Sequence, residues 1–199
     1  MARSRNRSKR KGTTESRWSG EVTGVLLAGA GVLLLLSLLS YTPGDLPIKF
    51  PFTDWALLSG FALDLEANDP RKNWIGPVGT LLGFSQIQIF GVAAYLLPLG
   101  MLWLGIGRLF MGASYSLRTT IGFIVCLLSG ASLVAVQDTL FTTWKETKLI
   151  AGPGGVVGQG LGVVLFKGML SATGSIILLG IIYWLSFFTL LGVHPIKFV

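Results

Sequence analysis

Apolar and polar positions in this chain fall into long blocks rather than the short periods of a strand or a surface helix. Charges cluster, and between the clusters lie runs with none. A helix needs roughly 20 apolar residues to cross about 30 Å of hydrocarbon. Four runs are long enough. The first is 22–41, rich in leucine and closed by Pro43 and Gly44. The second lies in a charge-free stretch, 73–107, that is too long for one crossing. Pro77, Gly79 and Gly83 interrupt its start, and Ser85, Gln86 and Gln88 are polar. The pattern predicts an interfacial segment over 76–84 and a crossing over 87–109, kinked at Pro98. The third crossing is 119–137. The fourth is 173–192, ended by Gly192 and Pro195.

One further uncharged stretch, 149–166, contains Pro153 and Gly152, Gly154, Gly155, Gly158, Gly160 and Gly162. Glycine is a poor helix former, and backbone in lipid must satisfy its own hydrogen bonds. This stretch therefore predicts a loop followed by a short surface helix over 156–170, not a fifth crossing. No internal repeat is legible. The expected fold class is an all-α membrane protein, with four transmembrane helices plus one or two short interfacial helices. Its parts are a basic tail (1–21), a membrane domain (22–192) with outer loops 42–86 and 138–172, and the start of a linker (193–199).

Composition agrees. Charged residues make up 13% of the chain and hydrophobic ones 51%, whereas soluble domains carry about 25% charge. The net charge of +7 comes from the tail: Arg3, Arg5, Arg7, Lys9, Arg10, Lys11 and Arg17. Lys and Arg mark cytoplasmic segments, so the tail is expected inside. Loop 42–86 holds Lys49, Arg71 and Lys72 against Asp45, Asp54, Asp64, Glu66 and Asp69, and is expected outside. Arg108 and Arg118, with no acid between them, put the second link inside. Loop 138–172 then faces outward and the end bearing Lys197 inward. A cleaved signal is not expected, because the first apolar run exceeds the roughly 7–15 residues of a signal core. Trp18, Trp74, Trp103, Trp144 and Tyr41 sit near span ends, as interfacial aromatics do.

Candidate chemistry is sparse. Stretches 22–41, 87–107, 119–137 and 173–192 of the spans hold no Asp, Glu, Lys, Arg or His, the residues that carry ions or protons through pumps and carriers. Gly155 and Gly160 have the spacing of a phosphate loop, but Leu161 stands where its lysine belongs. His194 is the one histidine, with no second metal ligand nearby. Cys126 is the one cysteine, so no intramolecular disulfide forms. No catalytic, cofactor-binding or metal site is expected. The basic tail suits anionic lipid, which is always adjacent, better than DNA phosphate. Gly24, Ala28, Gly31, Gly100, Gly105, Gly122, Gly130, Gly174 and Gly180 allow close helix approach, within the chain or between copies.

Four sequence pieces occur in a telling order: Leu38–Asp45 (LLSYTPGD), Asn73–Gly79 (NWIGPVG), Phe90–Pro98 (FGVAAYLLP) and Gly154–Gly158 (GGVVG). Together they resemble the N-terminal four-helix membrane domain of the FtsK/SpoIIIE DNA translocases, across about 20–194. The family-motif positions are Pro43, Asp45, Asn73, Gly76, Gly79, Gly91, Tyr95, Pro98, Gly154, Gly155 and Gly158. The resemblance implies an inner-membrane domain, with both termini cytoplasmic, that localises a hexameric ATP-driven DNA motor at the septum. It also implies roles in cell division and chromosome partition, and contacts with other division proteins. No Walker motif or DNA-reading module occurs in 1–199, so this chain is read as no enzyme. ATP, Mg and DNA would belong to the motor. The competing readings are a small channel or permease-like protein of another family, and a scaffold without a motor.

Overall fold

A computed structural model describes residues 5–46, 48–49, 56–57, 68–70, 72–110, 117–137, 139, 141, 143, 148 and 152–191; for 5–17, 48–49 and 56–57 it describes backbone alone. Arg3, Trp144, His194 and Lys197 lie outside the described residues.

The main helices are α1 (Arg5–Leu39), α2 (Gly76–Phe90), α3 (Leu96–Phe110), α4 (Leu117–Gln137), α5 (Gly155–Val157) and α6 (Gly168–Leu191). A 3-10 turn at Gly91–Tyr95 joins α2 to α3, and a π-helix at Gly158–Lys167 joins α5 to α6. Ile48–Lys49 and Ala56–Leu57 form a minimal antiparallel pair. Four segments are long and apolar enough to span a membrane: Trp18–Leu39, Gly76–Phe110, Leu117–Gln137 and Gly155–Leu191. The protein is an all-α membrane protein.

Small residues fix the packing. α1 and α3 run antiparallel: Gly20 meets Arg108, Gly24 meets Gly105 and Leu109, and Gly31 meets Pro98 and Leu102. A Cβ on Gly105 would lie 2.6 Å from the Ala28 nitrogen. Backbones this close leave no room for a side chain. α4 and α6 form a second antiparallel pair, through Gly122 on Thr189 and Gly130 on Tyr183. Between the pairs, Gly100 faces Phe123 and Gly130 faces Leu96.

The second span differs from its expected form. Ile87–Phe90, expected in the crossing, belongs to α2, and the break falls at Gly91 (φ 59°), not at Pro98. Pro98 stands in the first turn of α3. Near a helix start the fixed φ of proline is tolerated. α2 packs on the far end of α1 from Arg108, where Gly83 meets Ser37 and Tyr41.

The glycine-rich stretch is helical from Gly155 onward. Its glycines are a contact face: a Cβ on Gly158 would strike the Ala131 carbonyl, and one on Gly162 would lie 2.5 Å from that of Ser132. Tertiary packing overrides the weak propensity of glycine.

An internal repeat, absent from the sequence reading, emerges from the backbone. Gly76, Gly79 and Gly83 open α2; Gly155, Gly158 and Gly162 open the second such helix at the same spacing. Both leading glycines have positive φ, 73° and 65°. Each unit is a long helix, a loop, a second helix laid on the first, a left-handed residue (Gly91 or Ser171), and a helix running back.

Candidate functional site

The most organised polar cluster lies where α1 ends. Ser40 and Tyr41 leave the helix, and Pro43 starts a 3-10 turn, where its missing amide hydrogen costs nothing. That turn aims the buried Asp45 carboxylate at the chain before α2. Its Oδ1 accepts from the Lys72 amide at 3.0 Å and from Asn68 Nδ2 at 2.9 Å; its Oδ2 accepts from the Asn73 amide at 2.8 Å. Asn73 continues the network. Its Nδ2 donates to the Ser37 carbonyl at 3.2 Å, and its Oδ1 accepts from the Ile75 amide at 3.0 Å. Ser37 Oγ donates to the Gly79 carbonyl at 2.5 Å, and Ser40 Oγ accepts from the Trp74 amide at 3.2 Å.

Beneath this cluster Tyr41, Leu38, Leu46, Phe84, Ile87 and Ala94 form an apolar core. Tyr41 was expected among the interfacial aromatics; it is instead 1% exposed, its ring 6.5 Å from that of Phe84. The sharp turn after α1 folds it inward. Trp18, Trp74 and Trp103 are exposed. Lys148, from the second loop, donates to the Tyr41 carbonyl at 2.6 Å and stands 5.4 Å from the Tyr41 ring centre. Burial pushes the Lys148 ammonium below its ordinary pKa.

A second junction joins the two units. The Val92 amide donates to the Pro153 carbonyl at 2.8 Å. A Cβ on Gly155 would sit 2.6 Å from the Gly91 nitrogen. The family-motif positions thus divide among three places: Pro43, Asp45, Asn73, Gly76 and Gly79 at the Asp45 corner, Gly91 and Gly155 at the unit junction, and Gly154 and Gly158 against Ala131 of α4. Tyr95 and Pro98 follow on the way into α3. The sequence reading missed Ser37, Ser40, Asn68 and Lys148. Two serines three apart, closing a leucine run, were the available signal for the first pair.

At the opposite end, Arg108 Nε donates to the Gly20 carbonyl at 3.2 Å. Arg5, Arg7, Lys9, Arg10, Lys11 and Arg17 all lie on the helical backbone of α1.

Chemically, Asp45 is buried and its two oxygens already accept from three donors, two of them backbone amides, which holds the chain before α2 in place. Among the described residues no three of His, Cys, Asp and Glu come together. The arrangement ties helix ends and loops; it is a structural corner. Fold and corner together define a polytopic helical membrane domain. Residues 16–199 match the 4TM region of DNA translocase FtsK/SpoIIIE. The chain belongs to that family. No curated protein and no solved structure matches it.

Proposed function

We propose that this domain is the membrane anchor and assembly module of an FtsK-like DNA translocase of the bacterial inner membrane, acting in cell division and chromosome segregation. The family match over 16–199 carries the reading. The arrangement of charge supports its orientation. The basic residues up to Arg17 precede the first span, and Arg108 lies at the same end of the bundle, beside Gly20. Under the positive-inside rule that end is cytoplasmic. Antiparallel packing of α6 on α4 then returns the chain to the cytoplasmic side, where a motor would follow.

The mechanism is passive. Attachment to a surface raises the local concentration of motor subunits and turns assembly into an effectively intramolecular step. The partners are the bilayer, further copies of the chain (six by family resemblance) and other division proteins. ATP, Mg and DNA are engaged by the motor alone. The test is a fluorescent fusion of residues 1–199 in dividing cells. Enrichment at the septum is expected; uniform membrane signal would contradict the division role.

A further inference from the structure

The two units differ where they should match, and the differences fall in one segment. Gly91 follows Gly76 by 15 positions; Ser171 follows Gly155 by 16. The second unit therefore carries one surplus residue between its two left-handed positions. A π-helix closes each hydrogen-bonded ring with one residue more than an α-helix. The π-helix Gly158–Lys167 lies in the interval that holds the surplus. Such winding is rare and usually confined to a single turn; here it runs for 10 residues. The second difference is chemical. The residue turning α2 toward α3 is glycine, at ease at φ 59°. The matching residue of the second unit is Ser171, at a kink inside α6 three residues after its start, with φ 59° and ψ 176°, a region essentially reserved for glycine.

We infer that the second unit is a two-state bend at Ser171, in which residues 155–170 either fold onto α4 or straighten into one helix with the rest of α6. Straightening returns Ser171 to the right-handed region and lets the π turns relax to α. What opposes it is contact: Gly158 on Ala131, Gly162 on Ser132, and Pro153 on Val92. Well-packed interfaces have discrete arrangements, so the two forms exchange as alternatives rather than by gradual flexing. The straight form, Gly155–Leu191, has 37 residues and would measure about 55 Å at 1.5 Å per residue. It therefore projects well beyond the bilayer on the Asp45 side. The first unit, with Gly91 at ease at φ 59° and no surplus residue, has no such strain to release. This inference stands on backbone geometry and does not depend on the division role.

The test is double electron–electron resonance on the whole chain in lipid vesicles. Cys126→Ala removes the native thiol, and labels sit on Val164→Cys and Leu117→Cys, both exposed. The expected result is a main distance plus a minor longer one. Ser171→Gly, which relieves the bent form, should deplete the longer distance several-fold. Gly162→Val, whose side chain strikes Ser132, should enrich it. If that variant does not insert, deletion of Val164, with the label moved to Val163→Cys, replaces it. Removing the surplus residue should abolish the longer distance while keeping the fold. Identical single distances in the parent and in Ser171→Gly overturn the inference.

Discussion

Asp45 accepts from the Lys72 and Asn73 amides and from Asn68, so alanine there leaves three donors unmatched at a buried corner. Charged hydrogen bonds and stranded buried donors make the expected loss about 3 kcal/mol. Thermal unfolding in detergent should show it; Asp45→Asn, which keeps one acceptor oxygen, should lose less. An unchanged midpoint in Asp45→Ala would contradict the role given to the corner. Lys148 offers a pH signature. Its folded-state pKa lies below the ordinary 10.5, so the unfolded chain binds that proton more tightly. The stability this group contributes therefore rises as pH climbs toward 10.5. Lys148→Met should flatten the rise of the unfolding midpoint above neutral pH, measured by melts at a series of pH values.

At the scale of elements, the glycine contacts set how closely helices approach. Gly105→Leu drives a side chain into the Ala28 backbone. It should separate α1 from α3, at a cost of about 2 kcal/mol or more. Helical content by circular dichroism should hold while the melting point falls. Gly180→Ala, where nothing lies within 4 Å, is the control and should change little. The four spans were legible because hydrocarbon tolerates no stretch of charge, a constraint visible residue by residue. The break at Gly91 was not, because proline looks like the breaker in sequence. Only the positive φ of Gly91 reveals where the chain turns. The fold of 155–167 was hidden for a related reason. Glycine reads as helix-poor until a partner backbone, here α4, comes close enough to need it. The repeat escaped notice because it resides in three glycine positions and two backbone angles, with little side-chain identity to betray it. Asp45 and Asn73 were legible as motif positions, but their mutual bonding depended on the turn at Pro43.

At the scale of the whole molecule, the membrane domain is two hairpins of antiparallel helices that meet at the Gly91–Gly155 junction. The first span begins and α6 ends toward the Arg108 end. An internal DNA motor can follow the fourth span only if that span ends in the cytoplasm. The direct measurement is membrane-impermeant thiol labelling of single cysteines in intact cells, with the native thiol removed by Cys126→Ala. The positions are Ser4→Cys, Asp69→Cys, which is exposed, and Phe198→Cys. Labelling is expected at Asp69→Cys alone, with the other two reacting only after the membrane is opened. Labelling of Phe198→Cys in intact cells, with Ser4→Cys protected, would contradict it.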